Sequence, residues 1–141
     1  MYGLKDAALT VTKTLPVGTN VATSGSIDLG LGALGELKVD AEFVLASPAV
    51  PVGALANAAT LKFDILASAS SDLSSPTVTH TTILTQTGAG GVGAGAATIR
   101  FKEPLNPGGT LFASLRYLGF RCTNSGTNDA SAGSATLDLV V

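Results

Sequence analysis

Four stretches alternate apolar and polar residues with a period of two, and they predict the strands around which the chain folds. In residues 36–46, Leu37, Val39, Ala41, Phe43 and Leu45 fall on one side, with Glu36, Lys38, Asp40 and Glu42 on the other. Successive side chains of a strand point to opposite faces, so this is the pattern of a half-buried strand. Leu61, Phe63, Ile65 and Ala67 repeat it against Lys62, Asp64 and Ser68. Ala97, Ile99 and Phe101 do so against Thr98, Arg100 and Lys102, and Ala135, Leu137, Leu139 and Val141 against Thr136 and Asp138.

Three further segments read as strands with a weaker signature. Residues 111–123 are apolar on both faces, as expected of a central strand or one flanked by a second subunit. Arg116 and Arg121 differ in parity there, and Gly119 between them is the expected bulge that restores one face. Residues 75–87 are Thr-rich and β-branched, and residues 25–29 form a short strand or edge piece. Turns are expected at 30–35, 47–58, 70–75, 88–95, 104–109 and 124–133, where Gly, Pro, Asn, Asp and Ser gather. No segment sustains a capped helical pattern. Several short strands at this spacing predict an all-β antiparallel sandwich or barrel. Residues 1–20 fit both strand and helix spacing and are read as an N-terminal arm, with 21–141 as a single β-sandwich domain.

Composition supports one folded domain. The chain has 141 residues, 45% of them hydrophobic and only 13% charged, with a mean hydropathy of +0.42. That is about half the charge of an ordinary soluble domain, where roughly 25% is usual. Disorder combines low hydrophobicity with high charge, so it is excluded. The surface is expected to be largely Ser, Thr, Ala and Gly, which suits a chain packed against other subunits or Thr-rich solvent faces. Net charge is −2 and the basic residues are scattered, which leaves no stripe to displace counterions from a nucleic acid. The uncharged run 43–61 holds Pro48, Pro51, Gly53 and Asn57, which speaks against a spanning helix, so no membrane partner is expected. The first residues carry Lys5 and Asp6 with no apolar run behind them, unlike a signal peptide.

The residues that carry chemistry are few. Gly88-Ala89-Gly90-Gly91-Val92-Gly93 matches G-x-G-x-x-G, but a strand follows it where a phosphate site needs a helix N-terminus. It is read as a flexible hairpin loop. His80 is the one histidine; it has no nucleophile elbow to serve and no partners for a metal site. Asp40 and Glu42 share a face with Lys38, which is the pattern of a solvated strand side. The 124–129 loop lacks the spaced carboxylates of a calcium loop, and Asn and Gly in it signal a turn. Cys122, the lone cysteine, is expected to be a buried, inert thiol. No catalytic residue, metal site or cofactor is therefore assigned, and the chain is read as a structural or binding protein, not an enzyme.

What remains is surface. Val50, Val52 and Leu55 lie between prolines and a glycine in a loop, so they either tuck under the sandwich or meet a partner. Tyr2, Leu4 and Leu9 of the arm pose the same choice, and an extended arm can add a strand to a neighbour's sheet edge. These six are the candidate protein-interface residues.

Three sequence elements resemble a known family. The first is Thr19-Asn20 leading into Ser26-Ile27-Asp28-Leu29-Gly30. The second is Thr60-Leu61-Lys62-Phe63-Asp64-Ile65-Leu66 followed by Ser70-Ser71-Asp72. The third is Arg116-Tyr117-Leu118 running on to Ala132-Gly133-Ser134-Ala135. Their order and spacing resemble the jelly-roll capsid cement, or decoration, proteins of tailed double-stranded DNA bacteriophages. The chain departs from that pattern in its Pro/Ala loop at 47–58 and its Gly run at 88–95. The resemblance implies a jelly roll made in the host cytoplasm and carried on the capsid exterior of the virion. It also implies a homodimer or homotrimer that binds the major capsid protein and stabilises the mature head. The alternative is a β-sandwich recognition module for host-surface carbohydrate or another virion protein, against which the scarcity of aromatics counts: 5% of residues, with no Trp.

Overall fold

The computed structural model describes residues 10–28, 42–102 and 117–140. Nine strands lie within them: β1 (Thr10–Thr14), β2 (Val21–Thr23), β3 (Ile27–Asp28), β4 (Glu42–Ser47), β5 (Thr60–Ser68), β6 (Thr77–Thr87), β7 (Ala97–Phe101), β8 (Tyr117–Asn124) and β9 (Ser134–Val140). Among the described residues there is no helix, and the sandwich expected from the alternating pattern is what forms. One sheet has the order β1-β9-β4-β7; the other has the order β2-β8-β5-β6, with β3 also on β8. All pairings are antiparallel. The chain passes repeatedly from one sheet to the other, and β1 lies beside β2 and β6 beside β7 at the two margins. This order is compatible with a jelly roll.

Within residues 1–20, the segment expected as an arm, β1 pairs along its whole length with β9 and Leu15 is buried. Tyr2, Leu4 and Leu9 lie outside the described residues. So do the first part of the strand expected at 36–46, the turns at 30–35 and 104–109, residues 111–116 with Arg116, and Val141.

The inward faces are those the period predicts. Phe43 and Leu45 of β4, Leu61, Phe63, Ile65 and Ala67 of β5, Phe101 of β7 and Ala135, Leu137 and Leu139 of β9 form one core with Leu118, Phe120 and Cys122 of β8. Phe43 sits directly opposite Phe101 across the β4–β7 pair and stacks on it at 5.4 Å. Burying a side chain of this size contributes roughly 1.5–3 kcal/mol, so the alternation accounts for most of the drive to form the sandwich.

β8 is the central strand that its apolar character implied, lying between β2 and β5. The bulge expected at Gly119 does not form: β8 pairs with β5 in unbroken register from Leu61↔Asn124 to Ser68↔Tyr117. Gly119 is there for space. A β-carbon on it would collide with Leu73 Cδ1 and come within 2.7 Å of the Gly25 carbonyl oxygen and 2.8 Å of Ser24 Oγ. Leu73 comes from the β5–β6 connection, which folds back over the outer face at Gly119; Leu66, the register partner of Gly119, is also buried. Ser68 Oγ donates to the Ser74 carbonyl (2.7 Å) and Ser26 Oγ to that of Ser71 (2.7 Å), tying this strap down.

The irregularity lies instead in β6, which slips against β5 on either side of Ile65. Thr82 takes a left-handed φ of 50° there, a costly conformation for a β-branched residue. Asp64 of β5 stabilises it by accepting the Thr82 backbone N–H on Oδ1 (2.7 Å), while its Oδ2 pairs with Arg121 Nη2 (2.7 Å). A bulged, bent edge also discourages edge-to-edge pairing with another sheet.

Candidate interaction surface

The loops after β1, β4, β6 and β8 all leave from one end of the sandwich, as the antiparallel registers require. They interlock through their backbones. Val50 and Ala94 exchange two N–H···O bonds of 2.8 Å each. Ala58 N–H donates to the Gly88 carbonyl (2.8 Å) and Gly88 N–H to that of Ala59 (2.9 Å). Gly18 N–H donates to the Asn128 carbonyl (3.1 Å), and Asn128 Nδ2 donates to the Gly53 carbonyl (3.1 Å). Four loops from both sheets are thus joined into one unit.

The Gly run makes this possible, and it is docked, not the free loop its composition suggested. Gly88 and Gly93 run so close to the 50–59 loop that a β-carbon on either would collide with a carbonyl oxygen, that of Ala56 or Val50. Gly93 also holds a φ of +72°, which L side chains rarely adopt.

A buried polar clamp lies below the loops. Gln86 of β6, 3% exposed, accepts Ser47 Oγ–H on Oε1 (2.7 Å) and donates from Nε2 to the carbonyls of Pro48 (2.9 Å) and Gly95 (2.9 Å). Both amide hydrogens and the carbonyl oxygen are used, so the buried amide is fully satisfied and ties β6 of one sheet to β4 of the other. Sequence reasoning missed it: Ser47 reads as the first residue of a turn and Gln86 as an ordinary polar strand position.

Of the loop residues expected at a partner interface, Val50 and Leu55 are 2% and 0% exposed and belong to the protein's own core. Expecting them as contacts was wrong, because the exchange between Val50 and Ala94 turns Val50 inward and Ala54 and Leu55 N–H both bond the Pro51 carbonyl, folding the loop back. Val52 stays outside at 44% exposure. Two exposed residues that the sequence reading did not single out join it at this end, Val17 at 50% and Val92 at 76%. Val17 bridges to Asp129, beside the Asn128 that bonds Gly53, and Gly93 abuts Pro51 and Val52. The other exposed valines among the described residues, Val21, Val78 and Val140, stand singly on strands.

The remaining candidates for chemistry are dispersed. His80 faces the gap between the sheets, with its ring edge-on to Phe101 at 5.3 Å. Glu42 pairs with Arg100 (3.0 Å). In the 124–129 turn, Asn124 is buried and accepts Gly126 N–H on Oδ1 (2.8 Å). Hydrogen bonds from Ser131, its side chain first and its backbone N–H second, hold the Asp129 carboxyl below the usual range. Among the described residues no three His, Cys, Asp or Glu side chains come together to hold a metal ion.

Cys122 is buried, and burial first and the Asp64 charge second push its thiol up to about 12 from 9.0. At pH 8, alkylation of the native protein is expected to run roughly 1,000-fold slower than that of the unfolded chain, following the lost thiolate fraction. A labelling time course with and without denaturant checks this. Below pH 9 both states keep the proton, so the thiol leaves stability unchanged. Above it the unfolded chain ionises first and stability falls.

No family model and no curated protein matches this sequence.

Proposed function

We propose that this protein is a decoration protein that binds the outer surface of a bacteriophage capsid shell as a homo-oligomer and stabilises the mature head. Resemblance in the three elements quoted above motivates the reading, and the sandwich fold is compatible with it. The observation that carries it is the interlocked loop end: four loops held by backbone hydrogen bonds and by close approaches at Gly88 and Gly93. A surface already ordered before binding loses little conformational entropy on docking, which is what a binding protein gains from rigidity.

Cementing a shell requires no bond-making chemistry. Each contact can be weak, because copies acting together around a ring raise one another's effective concentration. If the protein binds the expanded shell in preference to other forms, linkage alone makes that form harder to disrupt. Co-sedimentation of the purified protein with expanded shells that lack it tests the reading.

A further inference from the structure

We propose that the loop end is the face that meets the shell, and that it docks on an uncharged patch of the shell subunit; this rests on the decoration reading above. The distribution of charge carries the assignment. Loops 15–20, 48–59, 88–96 and 125–133 hold thirty-six residues and one charged side chain, Asp129, in a chain that is 13% charged. The Asp129 carboxylate already accepts Ser131 N–H at 2.8 Å.

Every other face of the described residues carries charge. The outer side of the β1-β9-β4-β7 sheet holds Asp138, Glu42 and Arg100. That of the β2-β8-β5-β6 sheet holds Lys62, Asp64 and Arg121. The opposite end has Asp28, Asp72 and Lys102, all exposed. Burying any of these faces against a partner would desolvate ions and demand matched countercharges. The loop end can be covered without that cost, provided the partner patch is also uncharged, since a charge facing it would be buried unpaired.

Its chemistry fits such a contact. Val17, Val52 and Val92 project from loops that are already fixed, over a surface otherwise made of Gly, Ala, Pro, Ser, Thr and Asn with the single carboxylate of Asp129. Charge depletion with apolar anchors is the composition of an interface centre, not of a rim.

The test uses co-sedimentation of the full chain with shells lacking it, at 50 mM and 500 mM salt. Wild type is expected to bind with affinity changing less than about threefold between the two, since no ion pairs are screened. Val52→Asp and Val92→Asp should each weaken binding at least about tenfold by burying an unpaired charge, while the exposed sites leave the melting temperature unchanged. Thr12→Lys and Thr85→Asp, which add a charge to the two sheet faces, should bind as wild type. Equal binding by both valine variants, or a steep loss with salt, overturns the assignment of this face while the decoration reading stands. Failure of wild type to bind overturns both.

Discussion

Gly93→Ala is expected to destabilise the protein by about 3 kcal/mol or more, combining the roughly 1–2 kcal/mol of a left-handed alanine with about 1–3 kcal/mol of overpacking. The conformation is wrong for a side chain at φ +72°, and the added carbon would collide with the Val50 carbonyl oxygen and lie within 2.7 Å of Pro51 C and 2.8 Å of Val52 N. None of these atoms is a side-chain end that can swing away. The neighbouring glycines separate the two effects. Gly91 has a φ of +86° but open space around it, so Gly91→Ala should cost only the backbone share, about 1 kcal/mol. Gly95 has neither constraint, and Gly95→Ala should be neutral or slightly stabilising through the unfolded state. Urea melts of the three variants read this order directly. Equal costs at positions 93 and 91 would mean that the two loops are not interlocked.

Gln86→Leu is the second large effect, expected at about 3 kcal/mol because the Ser47 hydroxyl and the Pro48 and Gly95 carbonyls are left without partners. An unmatched polar group away from water costs more than the hydrogen bond it lost was worth. Gln86→Glu is a sharper probe, since it keeps the shape and replaces the doubly donating amide NH2 with a single oxygen facing two carbonyls. Burial and those carbonyls raise the new carboxyl's pKa in the folded state. Its protonated form is then the tolerated one, so the variant should be least damaged at acid pH and lose stability as pH rises through the carboxyl range. The exposed neighbour Thr85→Ala should stay within about 0.5 kcal/mol. Chemical denaturation at pH 4 and pH 7 measures all three. A cost under about 1 kcal/mol for Gln86→Leu would show that the clamp does not join the sheets.

How much of this was legible depended on whether one face of an element differs from the other. Where it does, parity alone placed Phe43, Leu45, Leu61, Phe63, Ile65, Leu137 and Leu139 in the core, because a strand has only two sides. β6 is Thr-rich on both, so its slippage and the strained Thr82 left no trace in the pattern, and the irregularity was looked for at Gly119. A glycine in a strand signals either a bulge or a close approach. At Gly119 the approaching group is Leu73, hidden in a Ser-rich loop that gave no reason to expect a buried leucine.

The candidate surface was read only in part for a related reason. Val50, Val52 and Leu55 are equivalent in sequence, and what separates them is the hydrogen bonding of the 50–55 backbone, partly to a loop more than thirty residues away. Val17 and Val92 sit in segments that looked like an arm and a flexible run. Only the register of the sheets brings the four loops to one end. The near absence of charge in those loops was visible from the start as a feature of composition, and it became a feature of a surface once the fold gathered them.

Co-sedimentation with expanded shells lacking this protein tests the central claim most directly. The account predicts saturable binding at a fixed number of copies per shell subunit, as expected when a homo-oligomer occupies one class of symmetry position. Absence of binding to correctly assembled, expanded shells would contradict it.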